Sequence, residues 1–310
     1  MKNNIKIAIL LGGTSSEREV SLNTGNEISK TLEQAGYLVR NYDPKSDLEK
    51  FTKDFKENNF DFCIPALHGQ GGEDGSIQGY LESLNIPYCF SGISASAIAI
   101  DKNLSKILAR EKGIKILESK LITKLEDINN LNIAYPVIAK PNQGGSSVNI
   151  EICHDFQELK KAVNLSLSKN EDLIVERYLK ESKELTVSVI EKKEQIICLP
   201  VMEIIANKGV FYDYNSKYSE GGSTHICPAE IDREIYDLAQ KWSEISFKAI
   251  GAQDVARIDF LFDDKNNSLY FLEINTIPGM TKTSLLPEAA KKDGYEFIDL
   301  LELIIGNHIK

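Results

Sequence analysis

The chain opens on an apolar run, residues 5 to 11, that reads as a strand entering a Gly12-Gly13 turn. Leu22, Ile28, Leu32 and Ala35 then recur at helical spacing up to Gly36, a plausible residue to close a helix. A second helical pattern (Leu48, Phe51, Phe55) leads into a short buried-strand candidate, Asp61 to Leu67. A polar glycine loop, HGQGGEDG, follows, and then a helix carrying Ile77, Leu81 and Leu84. Strands alternating with helices predict a parallel, doubly wound layer over about the first 90 residues.

From Asp101, a good N-cap, a helix with Leu104, Ile107 and Leu108 runs to Gly113. The character then changes. Tyr135 to Lys140 and Ser147 to Ile152 read as two strands around a small-residue turn, followed by a helix with Phe156, Leu159, Val163 and Leu167. Asp172 to Tyr178 and Glu184 to Glu191 add strands, so a β-rich second unit follows the parallel one and the whole is mixed α/β and α+β. Ala206 to Thr224 is polar and aromatic with few aliphatic anchors, which suits either a surface loop or a lid. A helix with Ile231, Ile235, Leu238, Trp242 and Ile245 on one face ends near Gly251.

Composition narrows this picture. With 310 residues, 42% apolar and 26% charged, the chain can bury a large core in two or three domains, which excludes disorder and small disulfide scaffolds. The 46 Asp and Glu exceed the 36 Lys and Arg by 10, a balance that repels nucleic acid and anionic membrane. Cys63, Cys89, Cys153, Cys198 and Cys227 form no C-x-x-C pair and read as free thiols in a reducing compartment. Ile7 to Leu11 is too short for a signal-peptide core, and no stretch approaches the ~20 residues that span a bilayer, so a soluble cytoplasmic protein is expected.

Candidate chemistry concentrates near the C-terminus. VARIDFLF (Val255 to Phe262) and LYFLEIN (Leu269 to Asn275) read as a hairpin. With Asp259 opposite Glu273, Arg257 falls opposite Asn275 and Asp264 to Ser268 form a five-residue loop. In that register Asp259, Glu273 and Asn275 present two carboxylates and an amide oxygen on one face. These hard ligands suit Mg²⁺ that shares its shell with water and phosphate. A solvated face with an Arg–carboxylate pair accounts for the same residues. There is no Walker or dinucleotide fingerprint. Instead Lys140 ends a strand before NQGGSS, where backbone donors and an ammonium could cover a triphosphate, although an ordinary hairpin fits too. Lys102 is a second candidate.

Seven ordered segments carry a resemblance: LLGGTSSEREVSL (Leu10 to Leu22), ALHGQGGEDGSIQGYLE (Ala66 to Glu82), Asp101-Lys102, AKPNQGGSSV (Ala139 to Val148), FYDYNSKY (Phe211 to Tyr218), RIDF (Arg257 to Phe260) and EINTIPGMTKTSLLP (Glu273 to Pro287). Together they resemble the D-alanine:D-alanine ligases, enzymes of the ATP-grasp superfamily. The resemblance implies an ATP-grasp fold with an N-terminal Rossmann-like domain over 1–92, a central subdomain over 93–180, and a C-terminal subdomain over 181–310 with a lid at 206–224. It implies a homodimer that takes ATP, two Mg²⁺ or Mn²⁺ ions and D-alanine, with a D-alanyl phosphate intermediate in peptidoglycan precursor synthesis.

Residue by residue, the resemblance makes Asp259, Glu273 and Asn275 metal ligands and Lys102 and Lys140 phosphate contacts. VERYL supplies the adenine hinge, Glu176, Arg177, Tyr178 and Leu179, with Glu184 on the ribose and Lys217 also toward ATP. Glu17, with His68 nearby, matches the holder of the first D-alanine's ammonium. Arg257 and the Gly279 N–H match the oxyanion donors, and Ser284 and the Leu285 N–H the cradle of the second carboxylate. Ser146 and Tyr218 match partners of Glu17 that pin the lid, and Tyr218 favours a dipeptide over an ester with D-lactate. Asn149 departs from the family's frequent glycine. The opposed reading, a regulatory nucleotide binder without catalysis, sits poorly with an intact Arg257, Asp259, Glu273 and Asn275 set.

Overall fold

The computed structural model describes residues 5–144, 149–206 and 222–309. Within them β1 (Lys6–Leu10) pairs in parallel with β2 (Leu38–Tyr42) on one side and β3 (Phe62–Pro65) on the other. The alternation of β1 sends Ile7 and Ile9 to one face and Ala8 and Leu10 to the opposite one. Ile7 and Ile9 meet Ile28 and Leu32 of α1 (Arg18–Gln34), whereas Ala8 and Leu10 meet Phe51 of α2 (Leu48–Lys56) and Leu81 of α3 (Ser76–Ser83). Both faces are therefore covered, as a parallel sheet requires. Gly36 turns the chain out of α1 at φ +91°, and the Tyr37 N–H closes on the Leu32 carbonyl. Strand β2 gives no signal in the sequence because LVRNY carries no apolar run and is mostly exposed.

After α4 (Ile93–Ile100) and α5 (Lys102–Glu111), a second sheet runs in the order β4 (Ser119–Ile122), β7 (Leu173–Arg177), β5 (Val137–Pro141), β6 (Glu151–Cys153), antiparallel throughout. One face, including Val137, Ala139 and Val175, packs on Leu159 and Val163 of α6 (Phe156–Leu167). The Asp155 carboxylate caps α6 through the Gln157 and Glu158 N–H groups. Asn149, between β5 and β6, adopts φ +60°, the left-handed region that asparagine tolerates better than other side chains.

The third sheet contains β8 (Lys183–Lys192), β9 (Gln195–Cys198), β10 (Met202–Ala206), β11 (Ser223–Ile226), β12 (Val255–Asp263) and β13 (Ser268–Asn275). Its order is β11-β10-β8-β12-β13, with β9 also paired to β8. Its two faces differ. Leu185, Val187, Val189, Ala256, Ile258, Phe260 and Phe271 form a dry layer under α4, α5 and α7 (Arg233–Ile250). On the opposite face Ile190, Met202 and Val255 join the core of the parallel sheet, together with α8 (Leu285–Lys292) and α9 (Phe297–His308). The first and last parts of the chain thus share one apolar core.

Buried Asp254 stitches that junction: its carboxylate accepts the Phe90 N–H at 2.6 Å and meets Asn307 Nδ2 at 3.0 Å and His308 Nε2 at 2.7 Å. Helix α5 departs from its expected orientation. Asp101 caps it by accepting the Leu104 N–H, as its sequence suggests. Yet Leu104 and Ile107 are 46% and 38% exposed, and the inward stripe is Lys102, Ser105, Lys106 and Ala109. Of the five cysteines, all free, Cys63, Cys89 and Cys153 are buried. No helix among the described residues is long and apolar enough to cross a membrane.

Candidate active site on the open faces of two sheets

The expected hairpin register is present: Arg257 pairs with Asn275 and Asp259 with Glu273. Beyond this point a bulge shifts the pairing, so that Phe260 faces Phe271 rather than Leu272. The shift absorbs one residue. Asp263 then pairs with Ser268, and the loop is the four residues 264–267 rather than the five of the unbulged reading. The bulge leaves the polar pairs on one face of the sheet, because it begins only after Asp259.

Strand β8 completes this face, with Ser188 opposite Arg257 and Thr186 opposite Asp259. The Arg257 guanidinium grips Asp259 at 2.9 Å (Nε to Oδ1) and 2.8 Å (Nη2 to Oδ2), and the Thr186 hydroxyl donates to Asp259 Oδ1 at 2.6 Å. Glu273 Oε2 lies 3.5 Å from Lys102 Nζ, which donates to the Gly144 carbonyl at 2.6 Å. Asn275 Oδ1 accepts the Ile277 N–H at 3.0 Å, leaving a second lone pair. The Ser188 and Thr276 hydroxyls beside this row are buried without a hydrogen-bond partner among the described residues.

These residues fit a divalent cation of one kind. No cluster of three or more His, Cys, Asp or Glu that could hold a metal exists among the described residues. Two carboxylates and one amide oxygen would instead hold an ion that takes the rest of its shell from water and phosphate oxygens, the habit of Mg²⁺. Each carboxylate has a cationic neighbour, so the face already neutralises its negative charge with Arg257 and Lys102.

The open face of the four-stranded sheet carries the second group. Glu176 on β7 is 2% exposed, and its Oε1 lies 3.1 Å from Lys140 Nζ and 3.3 Å from Lys106 Nζ. Burial pushes the Glu176 carboxyl up, but the two ammoniums outweigh it and hold it below the usual carboxylate range. Burial pushes the Lys106 ammonium down to about 8, against the pull of Glu176. Downstream, Arg177 is exposed at the end of β7, the Tyr178 N–H donates to the Pro136 carbonyl, and the Leu179 carbonyl accepts the Ser182 hydroxyl. Residues 178–182 carry the chain from one sheet to the other, and Glu184 follows on β8 opposite Leu261.

The third group comes from the N-terminal layer. Glu17, buried ahead of α1, has its N–H held by Ser15 Oγ, and the Ser15 hydroxyl donates to the His68 carbonyl at 2.6 Å. Gly69 sits at φ +72°, and a Cβ there would lie 2.7 Å from Glu17 Oε2. The glycine therefore lets the HGQGGEDG loop close over Glu17. Buried His68 pairs with the Thr24 hydroxyl at 3.1 Å; burial and the Arg257 charge push its imidazole down to about 4, so it is neutral at pH 7. Glu73 accepts the Gly69 N–H at 2.7 Å, and burial together with Glu17 pushes its carboxyl up to about 8. The charges of Arg257 and Glu273 also act on Glu73, more weakly than its burial and Glu17.

The segment after β13 closes the ring. Ser284 Oγ accepts the Thr281 N–H at 3.1 Å and lies 2.8 Å from Thr281 Oγ1; a Cβ on Gly279 would stand 2.9 Å from it. Ser284 directly precedes Leu285, the first residue of α8. Lys282 pairs with Glu27 of α1 at 3.1 Å, tying this loop to the N-terminal layer. Ser146, Lys217 and Tyr218 lie outside the described residues. Sequence reasoning missed Lys106, Glu73 and Thr186. Lys106 stands one helical turn after Lys102 and Glu73 within the glycine loop, signals that were available. Thr186 gives none, since only pairing with β12 reveals it.

Lysines and carboxylates gathered between two antiparallel sheets, beside a parallel nucleotide-fold-like layer, define an ATP-grasp enzyme. The comparisons with known proteins specify which. Models described as "D-ala D-ala ligase N-terminus" and "D-ala D-ala ligase C-terminus" match residues 39–91 and 108–306. The D-alanine–D-alanine ligase of Carboxydothermus hydrogenoformans is 41% identical over 310 residues, 97% of each chain. The ATP complex of the Bacillus anthracis D-alanine–D-alanine ligase superposes with a TM-score of 0.81 at 32% identity, covering 98% of this chain and 97% of that one. The D-Ala:D-Ser ligase VanG of Enterococcus faecalis also reaches 0.81, at 27% identity, over 99% and 100% of the two chains. The chain belongs to the D-alanine–D-alanine ligase family.

Proposed function

We propose that this chain is an ATP-dependent ligase that joins two D-alanines for peptidoglycan precursor synthesis. The carrying observation is the register that sets Arg257, Asp259, Glu273 and Asn275 on one face, together with the buried glycine loop that gathers Glu17, His68 and Glu73 and feels the charge of Arg257. An amino-acid subsite and a phosphate subsite then adjoin. In the first step a carboxylate oxygen of one D-alanine attacks the γ-phosphorus of ATP and ADP leaves. In the second, the amine of another D-alanine attacks the acyl carbon, loses a proton, and inorganic phosphate departs as the amide forms.

In this reading Glu17 holds the first ammonium, with neutral His68 adding no repulsion. Arg257 and the Gly279 N–H face the oxyanion, where one preorganised donor is worth about 3–4 kcal/mol. Ser284 and the Leu285 N–H take the second carboxylate. Lys102 and Lys140 meet the phosphates, Glu176, Arg177, Tyr178 and Leu179 frame the adenine, and Glu184 meets the ribose. Asp259, Glu273 and Asn275 would hold two Mg²⁺ or Mn²⁺ ions, which would supply charge neutralisation on the transferring phosphoryl group. Ser146, Lys217 and Tyr218 belong to the lid side of this scheme, where exclusion of water protects an acyl phosphate from hydrolysis. The division at 92/93 and 180/181, a homodimeric state and a cytoplasmic location complete the proposal.

The test is a product assay with ATP, Mg²⁺ and paired amino acids. D-Alanyl-D-alanine formed with stoichiometric ADP and phosphate is the expected result. Turnover with D-alanine only when D-serine or D-lactate is the second substrate would reassign the product, and ATP binding without turnover would favour a regulatory nucleotide binder.

A further inference from the structure

Helix α5 lies along the outer edge of β13, and its two inward lysines are matched to that edge. Lys102 reaches Glu273 and the Gly144 carbonyl. Lys106 reaches the Phe271 carbonyl at 3.3 Å and Glu176 at 3.3 Å. Lys102 and Lys106 stand one helical turn apart on α5 and meet β13 on either side of the bulge, at Glu273 and at Phe271. Lys106 thus touches both sheets, and Lys102 ties β13 to the turn that follows β5. The Phe271 N–H also points outward, to the Lys115 carbonyl, so Lys106 fills the remaining acceptor of an edge strand.

Lys106 is 1% exposed, and its ammonium is taken up by Glu176 and the Phe271 carbonyl. Glu176, however, shares one oxygen between Lys106 and Lys140. A carboxylate buried to this depth needs a cation beside it. We infer that Lys106 is a positioning residue that keeps Glu176 ionised and thereby frees Lys140 to leave Glu176 for the nucleotide's phosphates. This rests on the reading of Lys140 as a phosphate ligand. Without Lys106, Lys140 is the sole counter-ion of Glu176, and a triphosphate must break that pair in order to bind.

The experiment compares calorimetric affinities for a non-hydrolysable ATP analogue with Mg²⁺ and for adenosine, which lacks phosphates. Lys106→Met should lower the ratio of the two affinities about tenfold, the weight of one ammonium withheld from the phosphates. Lys106→Arg should hold it within about threefold. Adding Glu176→Gln to Lys106→Met should restore the ratio, since Lys140 is then released; whatever Glu176 itself does for the adenine acts on both ligands and cancels. A ratio unchanged in Lys106→Met, or a reduction that persists in the double variant, overturns the inference. Should Lys106→Met fail to fold, Glu176→Gln alone decides: an unchanged or raised ratio supports the release of Lys140, and a lowered one overturns it. An unmodified chain with no preference for the triphosphate analogue over adenosine would overturn the phosphate-site reading itself, a result distinguishable from these.

Discussion

Helices α5 and α7 cover the same face of the six-stranded sheet and use opposite chemistry to do it. In α7, Ile235, Ala239, Phe247 and Ile250 are buried, with Leu238 and Trp242 packed alongside, so its apolar side is its inner side. In α5, Lys102, Ser105, Lys106 and Ala109 face inward while Leu104 and Ile107 face out. The difference follows from what lies beneath each helix. Under α7 the contact is mostly hydrocarbon, with neutral polar contacts from Tyr236 and Gln240 to β9 and the chain after it, and burial of apolar area decides the orientation. Under α5 lie Glu176, Glu273 and an open strand edge, and unsatisfied charge in a dry interior costs more than two exposed aliphatic side chains. Amphipathicity thus reports the core reliably only where the core is apolar.

Substitutions in the two helices and at the site beneath them separate the two kinds of burial. The largest effect belongs to the site: if Glu273 is a metal ligand as proposed, Glu273→Gln should lower turnover by about a thousandfold or more. Its thermal midpoint should stay within a few degrees, and near-normal turnover in a product assay would remove Glu273 from the metal set. On the core side, Phe247→Ala on the inner face of α7 should cost about 3–5 kcal/mol in chemical denaturation, while the folded fraction keeps its turnover number.

Glu73 gives an intermediate, pH-dependent effect. Its folded carboxyl titrates at about 8 against 4.5 when exposed, so the folded state retains a proton that the unfolded chain releases. Its contribution to stability is full below about pH 4.5 and is lost as pH rises toward 8. Glu73→Gln, which still accepts the Gly69 N–H, should therefore melt higher than the parent at pH 8.5, with the gap narrowing as pH falls and vanishing near pH 4.5. A gap independent of pH would show that Glu73 is ionised in the folded chain. Smallest of all, Leu104→Ser on the outer side of α5 should change stability by less than about 0.5 kcal/mol in the same denaturation assay, whereas a loss near that of Phe247→Ala would mean that the outer face of α5 is covered.

Much of the candidate site was legible in the sequence. The pairing of Arg257 with Asn275 and Asp259 with Glu273 follows from period-two alternation, since any one-residue slip scatters the four polar groups over two faces. Asp101 as a cap and Gly36 as a helix terminator are local signals, set by backbone groups within a few residues. The bulge after Asp259 was not legible, because VARIDFLF and LYFLEIN alternate equally well with or without it. Lys106 and Glu73 lay within motifs that drew attention to their neighbours, and only burial beside an opposite or like charge sets them apart.

Sequence by itself determined the local elements, the hairpin register near the ligands and the family to which the chain belongs, because each is written in residues close together or in ordered motifs. Tertiary structure alone decided which face of α5 turns inward and that Ile190, Met202 and Val255 share a core with Ile7 and Phe62. It also decided that one oxygen of Glu176 serves two lysines from separate elements. Those outcomes depend on what each surface meets across space, and the energy of a buried charge is fixed by partners far away along the chain.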